Sequence, residues 1–224
     1  MGQEIEIKLR IDAAYLDRIL SHPLVVRYAE GPHLYLQLFN TYYDTPAFEL
    51  HSHRMALRVR RDGNRFVQTL KTRGQSLDGL SRRGEWEWPL PDDVLQPALV
   101  PAELWPADLE KRRHLLAPVF CTDFTRSLSR VTLPGNLLGP GQPAAGIELA
   151  LDRGTVSAAS TGGPCSQAIS EIEMELIYGE VATLQAFSLT ASAGLPVFPS
   201  DISKAERGYR LLGSGLLGKK LTVV

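Results

Sequence analysis

The stretch Gln3-Glu-Ile-Glu-Ile-Lys-Leu-Arg-Ile11 alternates without a break. Glu4, Glu6, Lys8 and Arg10 fall on one side of an extended chain, and Ile5, Ile7, Leu9 and Ile11 on the other. Successive strand side chains point to opposite faces, so this is a strand with one apolar and one fully charged face. The same period recurs in Leu36–Tyr43, Met55–Arg61, Arg65–Lys71, Arg82–Trp88, Asp123–Val131, Ile147–Asp152, Thr155–Ala159 and Ser170–Ile177. Asp62-Gly63-Asn64 is a tight-turn signal that makes its flanking strands a hairpin.

Helical patterns are fewer. Asp12 is placed to cap a helix over Ala13–Ser21, and a second follows Pro106 over Ala107–Leu116. A third covers Glu180–Ala193 before Gly194, and a fourth covers Ser203–Leu212, with Ser203 and Glu206 at capping-box spacing. Asp44 is placed to cap a helix near Pro46 or to brace the arginines, and is not read as catalytic. The reading is one α+β, mainly β, domain over residues 3–212, with 213–224 as a C-terminal tail.

The charged faces are sorted by sign. Arg54 to Arg83 holds nine Arg or Lys against two acids, whereas Glu171, Glu173 and Glu175 sit together on one strand face. Glu148 aligns with Asp152, and Arg126 with Arg130. Yet the net charge is only −1, which argues against a general binder of nucleic acid or of membrane surfaces. If the strands close into one sheet, helices cover its apolar outside and the charges converge inside. Dehydrated, unpaired charges there cost several kcal/mol each. A wet tunnel that meets a polyanion and divalent metal ions relieves that cost, because carboxylates coordinate hard cations and arginines bind phosphoryl oxygens in pairs. Cys121 and Cys165 match no metal or disulfide spacing and are expected as thiols in a reducing cytoplasm. No apolar run reaches the ~18 residues of a membrane span, and no Walker or Gly-x-Ser-x-Gly motif occurs.

Taken in order, several blocks resemble the CYTH superfamily, the triphosphate tunnel metalloenzymes. They are Glu4-x-Glu6-x-Lys8, Asn40-Thr-Tyr-Tyr-Asp-Thr-Pro46, Ala56-Leu-Arg-Val-Arg60, Thr69-Leu-Lys71, Arg83-Gly-Glu85, Phe124-Thr-Arg126, Ile147–Asp152, Glu171-Ile-Glu173 and Ser203–Tyr209. The resemblance covers about residues 3–212 and is greatest to bacterial inorganic triphosphatases, in which a helical CHAD domain often follows the tunnel domain. No CHAD-like segment lies within the 224 residues.

The resemblance implies an eight-stranded antiparallel β-barrel with helices outside and the active site in its lumen. It implies that Lys8, Arg58, Arg60, Lys71, Arg83, Arg126, Lys204 and Arg207 hold a small-molecule triphosphate. It implies that Glu4, Glu6, Asp152, Glu171 and Glu173 hold Mg²⁺ or Mn²⁺, two ions with substrate bound, and that Lys8, Lys71 and Asp152 are catalytic. Glu85, Glu148 and Glu175 face the same way and balance charge. Thiamine triphosphatases share much of this pattern but place a tryptophan where this chain has Ala56, which points to inorganic triphosphate instead. Class IV adenylate cyclases share the barrel, but no base-binding pocket is readable here. A polyphosphate-binding module without turnover is the alternative from another class. The pattern leaves the oligomeric state open.

Overall fold

In the computed structural model, which describes residues 2–160 and 163–217, the N-terminal strand does run as the alternation requires. β1 (Gly2–Arg10) pairs antiparallel with β6 (Leu80–Leu90) on one side and β9 (Gly163–Tyr178) on the other. Between them run β2 (Leu34–Asp44), β3 (Ala56–Asp62), β4 (Arg65–Lys71), β7 (Ala117–Leu133) and β8 (Ala145–Ser160). The order β1-β9-β8-β7-β2-β3-β4-β6 returns to β1, so eight antiparallel strands close a barrel. Two short strands, β5 (Gln75–Leu77) and β10 (Phe198–Pro199), hang on β6 and β1. In the β3–β4 hairpin, Gly63 takes φ +59°, the left-handed geometry that only a residue without Cβ adopts freely.

Some boundaries differ from the sequence reading. The expected strands Ile147–Asp152 and Thr155–Ala159 are one strand, because Arg153 and Gly154 stay in register with Thr125 and Phe124 of β7. The expected helix Ala13–Ser21 is a turn and a 3₁₀ segment, Leu16–Ser21, followed by α1 (Pro23–Tyr28). Asp12 Oδ1 accepts from Ala14 N, two residues on, which fixes a turn rather than a cap. After Pro106 the helix stops early, as α3 (Ala107–Glu110), with a 3₁₀ turn at Arg113–Leu115. The helix expected near Pro46 is a single turn, α2 (Glu49–Ser52). α4 spans Val181–Ala191, and α5, Lys204–Leu217, runs past Leu212 into the expected tail. The rest of that tail, 218–224, lies outside the described residues.

Three apolar clusters result. Ile7, Leu9, Leu149, Leu151, Ile172 and Met174 face outward and are covered by Leu184 and Phe187 of α4 and by Leu16, Ile19 and Val25. Leu57 and Leu70 are covered by Leu50, Val100, Trp105 and Leu109. The third cluster lies on the lumen side: Leu38, Phe120, Phe124, Val156, Ala158 and Ile169 pack against Tyr209 of α5 and against Ala205, Leu211 and Leu212. A Cβ on Gly208 would come within 2.3 Å of the Phe120 ring, so the glycine lets the helix lie against the wall. α5 thereby fills one end of the barrel and brings its first turn to the charged part of the lumen.

Candidate active site

The remaining lumen is a cavity of about 370 Å³ whose wall includes Glu4, Glu6, Lys8, Arg58, Arg60, Lys71, Arg83, Arg126, Glu173 and Lys204. Of the other residues expected at the site, Asp152 and Glu171 are fully buried beside it. Arg207, also buried, donates from Nη2 to Glu171 Oε2. Glu85, Glu148 and Glu175 line the cavity too.

The groups form three linked parts. In the first, the Lys71 ammonium lies 2.7 Å from Glu4 Oε1 and 3.2 Å from Glu85 Oε2. Arg83 Nε donates to Glu4 Oε2 at 2.5 Å, and its Nη2 to Glu6 Oε1 at 3.1 Å. Burial works against both Glu4 and Arg83 as ions. The opposite charges outweigh it, holding Glu4 well below the usual carboxylate range and Arg83 above its ordinary value.

The second part is acidic. Asp152, Glu171 and Glu173 present carboxylate oxygens within 4.8 Å of one another. Lys204, at the start of α5, reaches Asp152 at 2.6 Å, Glu171 at 2.5 Å and Glu173 at 2.9 Å. Arg126 makes a bidentate pair with Asp152, 2.7 Å on each arm, and reaches Glu173 Oε2 at 2.6 Å. Lys8 lies 3.0 Å from Glu6 and 3.6 Å from Glu173. Burial would push Glu173 up, but Lys204, Lys8 and Arg126 outweigh it and hold it well below its ordinary value. Three converging carboxylates, two of them buried, are the hard oxygen donors that a divalent cation such as Mg²⁺ or Mn²⁺ takes.

The third part is basic and incompletely paired. Arg60 Nε donates 2.9 Å to the Asn40 amide oxygen, and Asn40 is itself held by Thr122 Oγ1 at 2.9 Å. Burial and the neighbouring Arg58 and Arg126 pull Arg60 down to about 9. Arg58 reaches a carboxylate only at 3.8 Å, on Glu85, and its buried Nε has no acceptor among the described residues. Arg58 also meets the Tyr42 hydroxyl, so what the pair lacks is a close carboxylate for either guanidinium and an acceptor for Arg58 Nε among the described residues, which suits them to an anion.

Two contributors stand in the Asn40–Pro46 block but were given no role at the site by the sequence reading. Asn40 orients Arg60, and its signal was an amide in mid-strand on the charged face. Tyr42 lines the cavity and stacks on Phe120 at 4.6 Å between ring centres. Its signal was parity with Asn40, obscured by the turn that follows. Asp44 serves the scaffold. Its carboxylate accepts from the backbone N of Thr45, Leu50 and His51 and from Tyr209 Oη at 2.8 Å, tying α2 to α5.

The CYTH domain family model matches residues 2–209, nearly the whole of the chain described. This chain belongs to the CYTH family. A curated relative, the inorganic triphosphatase of Haemophilus influenzae, is 35% identical over 219 residues, covering 96% of this chain but 56% of the relative. The chain thus spans about half the length of that relative. A solved Hippeastrum protein, described as revealing a dominant triphosphatase activity, superposes with a TM-score of 0.55 at 24% identity, over 93% of this chain and 96% of the other. The PH1819 protein of Pyrococcus horikoshii gives 0.52 at 17% identity, over 97% and 99%. At such identities the two structures show the fold, a CYTH barrel.

Proposed function

We propose that this CYTH barrel is a metal-dependent inorganic triphosphatase, hydrolysing tripolyphosphate to pyrophosphate and orthophosphate. One observation carries the reading: a converging carboxylate trio, reaching the lumen through Glu173, faces the same cavity as Arg60 and as Arg58, whose Nε has no acceptor among the described residues. The Haemophilus relative's name and its 35% identity support the choice of substrate class.

In this reading Arg58, Arg60 and Arg126, with Lys8, Lys71 and Arg83, hold the phosphoryl oxygens and offset their charge, which is most of what phosphoryl transfer asks of a protein. Asp152, Glu171 and Glu173 would hold one Mg²⁺ or Mn²⁺, and Glu4 and Glu6 face the same lumen for a second. The metal, when bound, supplies Lewis acidity at the phosphoryl oxygens and a more acidic water. Attack of water in line on the terminal phosphorus breaks its bond to the bridging oxygen, and pyrophosphate leaves. Lys8 and Lys71 stand where the charge growing on those oxygens is met by an ammonium. Lys204 and Arg207 position the trio from α5. No helix among the described residues is long and apolar enough to cross a membrane. The two free cysteines support the cytoplasm as the compartment.

A second reading has a specific observation in its favour. Beside the lumen, and sharing Lys8, Ala56 and Lys71 with it, lies a cavity of about 560 Å³ that His51 and Tyr209 also line, stacked 4.0 Å apart. That aromatic surface could carry the organic end of thiamine triphosphate or a nucleoside triphosphate, a role Ala56 cannot fill. Phosphate release from tripolyphosphate, thiamine triphosphate and ATP, with Mg²⁺ or Mn²⁺ and with chelator, separates these readings. Chelator-sensitive release from tripolyphosphate above the others supports the first. Preference for an organic triphosphate supports the second, and no release by folded protein leaves a binding module.

A further inference from the structure

Behind the lumen wall, between the end of β1, β9 and the flank of α5, lies another cavity of about 320 Å³. Arg10, Arg207 and Arg210 line it, with Gln167 and Ser170, and no carboxylate is part of its wall among the described residues. Arg207 and Arg210 have acid partners outside that wall, Glu171 and Glu206. Arg10 is exposed and makes no ion pair or hydrogen bond through its side chain among the described residues. The Ser170 hydroxyl oxygen is buried without a hydrogen-bond partner among the described residues.

Arg207 and Arg210 already meet acids, so the charge still to be met in this hollow is that of Arg10, and an anion seated there would join it to the other two guanidinium groups. The donors are of the kind that recognise tetrahedral oxyanions: planar forks that bind two oxygens at once, a hydroxyl and an amide. We infer that this cavity binds a single oxyanion of the orthophosphate class, at a site separate from the lumen. Arg207 stands between the two, since it lines the outer cavity and donates to Glu171 of the carboxylate trio. An anion outside and a cation at the trio therefore draw on the same side chain, and binding at one is linked to binding at the other. The inference does not depend on which triphosphate the lumen takes.

The test is calorimetric titration of the whole chain with orthophosphate, in chelator and at low salt, beside Arg10→Ala, Ser170→Ala and Arg58→Ala. Two binding events are expected. Arg10→Ala should weaken the outer one by about tenfold or more, Ser170→Ala by less, and Arg58→Ala not at all. Because Arg10 is exposed, its substitution leaves the fold and the basal tripolyphosphate turnover unchanged. A single event that Arg58→Ala abolishes and Arg10→Ala spares would overturn the inference. So would an outer event that acetate reproduces with equal affinity, or no binding of orthophosphate.

Discussion

The Lys204 ammonium lies 2.6 Å from Asp152 Oδ2, which places a cation from the C-terminal helix inside the carboxylate trio. Burial opposes that charge, but Asp152, Glu171 and Glu173 outweigh it and hold Lys204 protonated well above its ordinary value. Breaking a buried ion pair outright costs on the order of 3–5 kcal/mol, and here Arg126, Lys8 and Arg207 remain beside the acids, so losing Lys204 should cost part of that. Lys204→Met should therefore unfold more easily in chelator, and millimolar Mn²⁺ should raise its Tm by more than it raises the parent's. Equal Tm shifts in the two proteins would show that the trio does not take the metal.

Glu173→Gln keeps the shape of the side chain and removes a charge that Lys204, Lys8 and Arg126 all meet. Metal-dependent phosphate release should fall by about 100-fold, with a native circular dichroism spectrum. Near-parental turnover would remove Glu173 from the metal site.

Arg58→Ala takes away a buried guanidinium whose Nε lacks an acceptor among the described residues. A charge-assisted hydrogen bond contributes about 1.5–3 kcal/mol, so KM for tripolyphosphate should rise about 10- to 100-fold. An unchanged saturation curve would place this side chain outside the substrate's reach.

Glu175 makes a pH prediction. Burial, then the charges of Glu4 and Glu85, push its carboxyl from 4.5 up to about 7. The folded chain therefore holds this proton where the unfolded chain has lost it. That contribution to stability is present below 4.5 and is lost as pH rises through about 7. Glu175→Gln should match the parent near about pH 4 and exceed it, on the order of 1–2 kcal/mol, near about pH 8. Urea unfolding in chelator at both values checks this, and a difference that does not change with pH would refute it. Asp152 and Glu173 have the opposite sign, since their lowered values cost stability as pH falls, and that acid limb should persist in the variant.

The barrel was readable because its strands carry a period of two with unlike faces, a signal that depends on local sequence alone. What escaped depends on contacts distant in sequence. Gly154 looked like a break between strands, yet Phe124 across the ladder keeps it in line. Pro23 to Tyr28 shows no strong helical period, and its Val25 is buried only because the outer face of the sheet is there to receive it. The grouping of charges on one face was visible, but not which carboxylate meets which cation. Sequence places Glu4, Glu6, Glu171 and Glu173 alike, whereas the fold gives the first two to Lys71, Arg83 and Lys8 and gathers the others with Asp152 around Lys204.

That division has a consequence for how such a chain can change over generations. Arg83 is shared by two acids, Arg126 by two and Lys204 by three. Losing any one of these cations takes a partner from more than one acid at once, and although each acid keeps another cation, a single substitution at these positions disturbs the charge balance of the whole cluster. Divergence toward a new substrate is open instead at Ala56 and His51, where the wall carries no shared charge of the trio. Novelty in this barrel would arise at its rim, while its interior changes more readily by coordinated replacement.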